Sequence, residues 1–208
     1  HFVLITLPFF EIFLDFSYKN FQILCPMYKT IAGIDEINSA LQKRFNPASK
    51  NKKELTAGEF IYREEDKVIQ LTNMPDENVY NGDIGIIKEI KTSPKKEIII
   101  DFDGNIVKYA PSNFNNFRLA YAISIHKSQG SEFEVVVIPL VHNFNKMLYR
   151  KLIYTGITRA KRKLYLIGEA NVLNLAVNNT KNDIRRTTIR EFLETGITTT
   201  SNSLPWDL

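Results

Sequence analysis

Residues 120–136, Ala-Tyr-Ala-Ile-Ser-Ile-His-Lys-Ser-Gln-Gly-Ser-Glu-Phe-Glu-Val-Val, constrain the fold more than any other stretch of the chain. An apolar run, Tyr121 to Ile125, passes into the polar cluster His126-Lys127-Ser128-Gln129-Gly130-Ser131-Glu132. A second apolar run, Val135 to Leu140, follows at once. A run apolar on both faces is the pattern of a central parallel strand. Polar side chains gathered between two such runs are where a mononucleotide-binding sheet exposes its working groups. The plainer alternative is a surface turn around Gly130. The density of side chains able to bond phosphate, ribose or base weighs against it.

The rest of the chain has the matching texture. Residues 2–7 and Phe21 to Cys25 read as strands stopped by Pro8 and Pro26. Ile34 to Gln42 spaces Ile34, Ile37 and Leu41 on one helical face, and Asn46-Pro47 closes it. Strand, polar loop and helix are the unit of a parallel α/β sheet. Residues 48–58, rich in Ser, Lys, Asn and Gly, read as a linker. Beyond it lie short β-rich runs at Lys67 to Thr72, Ile84 to Ile90, Glu97 to Phe102 and Ile106 to Tyr109. Asn81-Gly82 and Asp103-Gly104-Asn105 supply tight turns. That rhythm indicates a small antiparallel barrel over about 60–111, inserted in an α/β domain. After Pro111 the α/β pattern resumes. A helix is expected over Asn145 to Lys161, a strand over Lys163 to Gly168 and further helix over 171–195. The expected organisation is therefore an α/β domain in two parts, 1–59 and 112–195, around the 60–111 insert, with a flexible tail at 196–208.

Composition narrows the chemistry. In 208 residues there is one cysteine, Cys25, and the three histidines lack metal-ligand spacing. This suits a reducing, cytoplasmic setting. Residues 2–16 are too short and too interrupted by Pro8, Glu11 and Asp15 to span a bilayer, so no membrane partner is expected. A formal charge of +4 permits polyanion binding without requiring it. No G-x-x-x-x-G-K-[ST] loop, G-x-G-x-x-G fingerprint, nucleophile elbow or zinc pattern occurs. The chain opens on His1 rather than Met, which suits an excised fragment or a tag remnant.

Two positive signals remain. Ser124, His126, Lys127, Ser128 and Gln129 can donate to phosphates or base edges, Gly130 allows close backbone approach, and Glu132 can accept from ribose. The second signal is Tyr154-Thr155-Gly156-Ile157-Thr158-Arg159-Ala160-Lys161. An Arg near a helix end beside a parallel sheet can reach phosphates held by a neighbouring domain. Equally, Arg159 can be a surface charge on a basic helix end. In the β insert, Lys67, Lys88, Lys91, Lys95, Lys96 and Lys108 with Tyr80, Phe102 and Tyr109 could line a strand-tracking groove, or the aromatics could be core.

These residues resemble a known family. His126 to Glu132 is similar to motif V of superfamily-one DNA helicases in the RecD-type form, and Tyr154 to Lys161 resembles their motif VI. Gln22 to Lys29, with Ala32-Gly33-Ile34 and Leu41-Gln42, is similar to their motif IV region. Asp66 to Gln70 and Asn81 to Gly85 resemble the start of the SH3-type barrel inserted in their second motor domain. Pif-type relatives usually carry Thr where Glu132 stands, so the resemblance favours the RecD branch (the exodeoxyribonuclease V alpha subunit type) or the similar motors of conjugative relaxases.

The resemblance implies a RecA-like parallel sheet with flanking helices, interrupted by that barrel: the C-terminal half of a two-domain motor. ATP would lie between the halves, with Mg2+ held by an N-terminal RecA-like domain of the same protein. It implies Arg159 as a catalytic arginine finger; Gly130, Glu132, Tyr28 and Lys29 by the ATP; and Ser124, His126, Lys127, Ser128 and Gln129 on single-stranded DNA. Translocation would run 5′ to 3′, with nuclease or helicase subunits as further partners, and the fragment alone would be inactive. A non-enzymatic single-stranded nucleic-acid-binding module and a relaxase motor fragment are the alternatives.

Overall fold

The computed structural model describes residues 18, 20–27, 33–144 and 147–180. The strand expected at 2–7, the portion of the helical expectation over 171–195 that falls beyond residue 180, and the expected tail lie outside them. At the centre is a four-stranded parallel sheet in the order β11-β10-β1-β9, made of β1 (Phe21–Cys25), β9 (Ala122–Ser124), β10 (Phe133–Leu140) and β11 (Ala160–Gly168). All five residues of β1 are buried between β10 and β9, with Ile23 paired to both Val137 and Ala122. Such a strand must be apolar on both faces, which is why Phe-Gln-Ile-Leu-Cys sits there. Its one polar side chain is satisfied at the amide nitrogen only: Gln22 Nε2 donates to the carbonyls of Ala120 and Tyr121 at 3.0 and 3.1 Å, while Oε1 is buried without a partner among the described residues.

The strand period of two sorts side chains to opposite faces. Phe21, Ile23, Cys25, Val135 and Val137 share a core with Ile34 and Leu41 of α1 (Ile34–Phe45). Leu24, Val136, Ile138 and Leu140 meet Leu152 and Ile153 of α2 (Arg150–Ile157) and Val172 and Ala176 of α3 (Ala170–Asn178). Helix α1 carries Asp35 and Glu36 in its first turn and Lys43 and Arg44 in its last, as the helix dipole favours. Gly168 ends β11 at φ +136°, where an added Cβ would lie 2.0 Å from the Leu140 carbonyl oxygen.

Between α1 and β9 the chain builds a five-stranded antiparallel sheet in the order β7-β6-β5-β4-β8, with a separate hairpin of β2 (Glu54–Ala57) and β3 (Phe60–Arg63). The five strands are β4 (Lys67–Gln70), β5 (Ile84–Lys91), β6 (Glu97–Phe102), β7 (Asn105–Tyr109) and β8 (Phe117–Leu119). The β6–β7 turn places Asp103 and Gly104 at φ 52° and 95°. Two successive positive φ values are what a tight hairpin with matching twist requires.

Three elements depart from the sequence reading. Residues 54–57, expected within a linker, form β2. Leu55 is the one of these four residues that buries, so the alternation has too few terms to stand out. Phe117–Leu119 forms an edge strand beside β4. The helix expected over 145–161 is confined to Arg150–Ile157, because residues from Ala160 onward pair with β10. Tertiary pairing overrides the helix propensity of a basic run.

The antiparallel sheet and the parallel sheet share one hydrophobic core, in which Phe21, Ile23 and Leu41 join Tyr62, Val68, Ile87 and Phe117. A polar node crosses the same joint. Asp66, buried between β3 and β4, accepts from Gln42 Nε2 (2.6 Å), Asn46 Nδ2 (2.7 Å), the Arg63 amide (2.7 Å) and Tyr121 Oη (2.9 Å). Burial raises the Asp66 pKa, and the donors from Asn46, Arg63, Gln42 and Tyr121 oppose that by favouring the carboxylate. Asn38 repeats the pattern on β9, exchanging hydrogen bonds with the amide and carbonyl of Ala122. Next in sequence, Lys67 points the other way: its Nζ donates to the Phe21 carbonyl at 3.0 Å and lies 5.9 Å from the Phe133 ring centre.

Truncating Asp66 to Ala leaves buried donors from three elements unpaired. We expect a loss of about 3 kcal/mol or more in urea unfolding; a change under about 1 kcal/mol would show that the node is dispensable. Lys67 is pushed down to about 7 by burial, against 10.5 in its ordinary state. The unfolded chain therefore holds a proton that the folded chain lacks between those values. Stability should rise with pH across that window, and the full cost of burying the charge is present below it. Lys67→Met should flatten the rise in urea midpoint between about pH 7 and 10. A variant profile parallel to the parent's would contradict this assignment.

Candidate functional site

Strand β9 delivers the chain to a short 3-10 turn, His126–Ser128, at the carboxyl edge of the parallel sheet. The Ile125 amide donates to the Cys25 carbonyl at 3.0 Å, so the turn is anchored on β1. Ser124 Oγ accepts from the Lys127 amide at 3.2 Å, and Ser128 Oγ donates to the Ile125 carbonyl at 2.7 Å. Both serines are buried. Ser124 and Ser128, expected among the strand contacts, thus have their hydroxyls engaged in shaping the turn. The side chains turned outward are His126 and Gln129, with Lys127 half-buried. Lys127 Nζ stands 3.5 Å from Asn81 Oδ1, where the motor turn meets the β4–β5 connection of the barrel. Burial lowers the Lys127 pKa.

Gly130 follows at φ +86°, with nothing within 4 Å of a Cβ placed there. Conformation, not space, requires glycine at this point. Next, the Ser131 carbonyl accepts from Arg159 Nη1 at 3.2 Å. Arg159 lies in the two-residue turn between α2 and β11, and Phe133 donates its amide to the Arg159 carbonyl at 2.9 Å. The guanidinium also donates from Nε to the Thr155 carbonyl and from Nη2 to Thr158 Oγ1, both at 3.1 Å. A cation folded back on the last carbonyls of α2 complements the helix dipole. Arg159 nonetheless keeps part of its surface open. Glu132 faces Lys161 at 3.7 Å, and Glu134 faces Arg162 at 3.8 Å. These exposed pairs contribute little and can be exchanged for another partner.

The structure brings Gly130, Glu132 and Arg159 to one edge of the sheet and places His126, Lys127 and Gln129 one turn away. Tyr28 and Lys29 lie outside the described residues. Sequence reading passed over Gly156, where an added Cβ would meet Ile138 Cδ1 at 2.8 Å and Ile125 Cδ1 at 3.7 Å. A glycine inside a short helix is the signal that could have marked this close approach of α2 to β10 and the turn. On the barrel, Lys67, Phe102 and Tyr109 are buried, and Tyr109 Oη donates to Gln70 Oε1 at 2.7 Å. They belong to the core and not to a groove. Lys88 and Lys91 pair with Asp101 and Glu97 at 3.0 Å. Tyr80 remains exposed, as do Lys95, Lys96 and Lys108.

This edge of the sheet offers an open glycine loop, an accepting carboxylate and a donating guanidinium. Among the described residues no group of three or more His, Cys, Asp or Glu could hold a metal ion, and no helix is long and apolar enough to cross a membrane.

Comparison with known proteins agrees with this layout. Residues 37–102 match the family described as the ATP-dependent RecD-like DNA helicase SH3 domain, and residues 119–167 match the UvrD-like helicase C-terminal domain. An ATP-dependent RecD2 DNA helicase of Deinococcus radiodurans is 34% identical over 155 residues, covering 74% of this chain and 21% of that protein. The RecBCD enzyme subunit RecD of Buchnera aphidicola (subspecies Acyrthosiphon pisum) is 31% identical over 166 residues, covering 79% of this chain and 27% of that protein. The chain thus spans about a quarter of the length of these relatives. A Pif1 helicase from Bacteroides in complex with ADP-AlF3 and ssDNA shares the fold at a TM-score of 0.53 and 18% identity, over 91% of this chain and 48% of that one. The Pif1 helicase from Candida albicans gives 0.51 and 15%, over 89% of this chain and 51% of its own. With its RecA-like parallel sheet and the SH3 domain set into it, the chain is a RecD-like helicase C-terminal domain.

Proposed function

We propose that the chain is the C-terminal half-motor of an ATP-dependent DNA helicase that moves 5′ to 3′ along single-stranded DNA. It supplies an arginine finger and strand contacts, and it hydrolyses no ATP alone. The observation that carries the reading is the hydrogen bond from the Arg159 guanidinium to the Ser131 carbonyl. It ties the candidate finger to the same loop that runs through Gly130 to the outward-facing Gln129, Lys127 and His126. The names of the similar proteins, an ATP-dependent DNA helicase and a helicase held with ADP-AlF3 and ssDNA, support nucleotide and strand as ligands.

On this reading an N-terminal RecA-like domain of the same protein brings ATP and Mg2+ to the open edge. ATP supplies a phosphoanhydride whose cleavage builds negative charge on the transferring phosphoryl group. Gly130 lets the backbone approach, Glu132 accepts from ribose, and Arg159 offers a planar fork to the developing charge. Reaching outward loosens the Arg159 bond to Ser131, and the loop is then free to reset His126, Lys127 and Gln129 on the strand. The chain itself has no phosphate-cradling loop, so it stands as half of a site. Nuclease or helicase subunits as further partners, and a cytoplasmic location, belong to the same proposal. The RecD relative from Buchnera is named as a RecBCD enzyme subunit.

In the protein carrying both motor domains, Arg159→Ala should lower kcat for ATP hydrolysis on the order of 10³-fold. KM for ATP and affinity for single-stranded DNA should stay within about threefold, because the interaction forms in the transition state. Arg159→Lys should rescue little, since a point charge cannot reproduce the fork. An unchanged kcat in Arg159→Ala, with strand binding intact, would reject the assignment. Robust DNA-stimulated hydrolysis by the 208-residue chain alone would reject the half-motor reading.

A further inference from the structure

A cleft of about 560 Å3 opens where the barrel joins the motor, between α1, the β2–β3 hairpin, the β8–β9 corner and the Lys127 turn. Ile34, Ile69, Leu119 and Ile123, all buried, give it an apolar floor. Charged side chains also line it: Arg118, Lys127 and Lys43, Arg63 already paired with Glu54 at 2.9 Å, and the acids Asp35 and Glu59. The Arg118 guanidinium lies over the Phe60 ring, 4.6 Å from its centre, and Nη1 donates to the Phe117 carbonyl at 2.9 Å. The guanidinium is thus fixed by an aromatic ring beneath it. Among the described residues neither Arg118 nor Lys127 is ion-paired. Among the described residues the Lys127 ammonium donates to the Asn81 amide oxygen at 3.5 Å.

The cleft therefore combines an apolar cavity, a planar cation held on a ring, and a second cation without a counter-charge. A flat aromatic body carrying one negative charge satisfies all three. Nucleobases stack on arginine planes and aromatic faces, and such sites lie in grooves of this size. Lys127, the lining cation that adjoins the outward-facing loop, is the anion end, and Arg118 with the apolar floor is the base end. Lys127 is also the residue through which the cleft meets the outward-facing loop at His126 and Gln129.

We propose that this cleft takes one splayed-out nucleotide of the bound single strand, its base against Arg118 and the apolar floor and its phosphate on Lys127. The inference rests on the strand-binding part of the function proposed above, and it assigns the barrel joint a direct grip on the strand. In this arrangement each advance of the strand must withdraw one base from the joint and admit the next.

The test compares two strands of equal length and charge, an oligothymidylate and the same strand with every base removed, binding to the 208-residue chain by fluorescence anisotropy. Arg118→Lys keeps the charge and removes the stacking plane. It should weaken the intact strand about tenfold, the scale of one base stack, and leave the abasic strand unchanged. Lys127→Ala should weaken both strands equally and reduce the salt slope by about one phosphate contact. If Arg118→Lys weakens both strands alike, or neither, the nucleotide pocket is wrong while strand binding stands. If the parent chain binds neither strand at low salt, the pocket and the strand-binding reading fall together.

Discussion

The carboxylate of Asp66 holds together two structures that could otherwise move apart. Its donors come from α1 and its capping residue Asn46, from the last amide of β3, and from Tyr121 at the entrance to β9. A carboxylate removed from water is tolerable only when its lone pairs are filled, and here donors from three parts of the chain fill them. Removing any one element leaves a buried charge short of partners. The node therefore makes the barrel's position a condition of the parallel sheet's integrity. Around it lies a continuous apolar core in which Tyr62 and Phe117 of the barrel side pack in one cluster with Phe21 and Leu41 of the motor side. The bond from Lys67 to the Phe21 carbonyl closes the same joint from the opposite face of β4.

A joint of this kind has a mechanical consequence. The strand that leaves it is β9, and β9 leads within two residues into the turn that presents His126, Lys127 and Gln129. The turn is pinned at its start by the Ile125 amide on the Cys25 carbonyl and at its end by Arg159 on the Ser131 carbonyl. Between those pins, Gly130 is the point where the backbone takes a conformation other residues resist. A displacement at Arg159 thus has a short path to the outward-facing side chains, and the barrel supplies a fixed body to push against. Gly156, seated against Ile138 and Ile125, keeps α2 close enough for that path to stay short.

How much of this was legible in the sequence depended on how many residues spoke at once. The buried strands at Phe21–Cys25 and Val135 to Leu140 and the helix from Ile34 announced themselves by runs or by spacing. So did the polar loop between β9 and β10, whose composition has few structural uses. The hairpin strand Glu54–Ala57 did not, because Leu55 alone turns inward and the neighbours are polar. The start of β11 at Ala160 was hidden under helix-favouring basic residues whose fate is decided by pairing with Phe133 and Val135. Lys67 and Asp66 were the hardest. A lysine in a β-rich run looks like a surface charge, and only the approach of β1 from some 46 positions away gives its ammonium the Phe21 carbonyl. At the site, chemistry-bearing residue types were recognisable, but division of labour was not. Ser124 and Ser128 differ from Gln129 by burial, and burial is a property of the assembled fold.

Barrel and parallel sheet joined through the Asp66 node should behave as one cooperative body. Native-state amide hydrogen exchange of the 208-residue chain tests it most directly. The amides of Ile87, which donates to the Asp66 carbonyl, and Ile125, which donates to the Cys25 carbonyl, lie on the two sides of the joint. Both should exchange through the same global opening, with free energies that agree with each other and with denaturant unfolding. Exchange of Ile87 through a separate opening of lower free energy, while Ile125 stays protected, would contradict it.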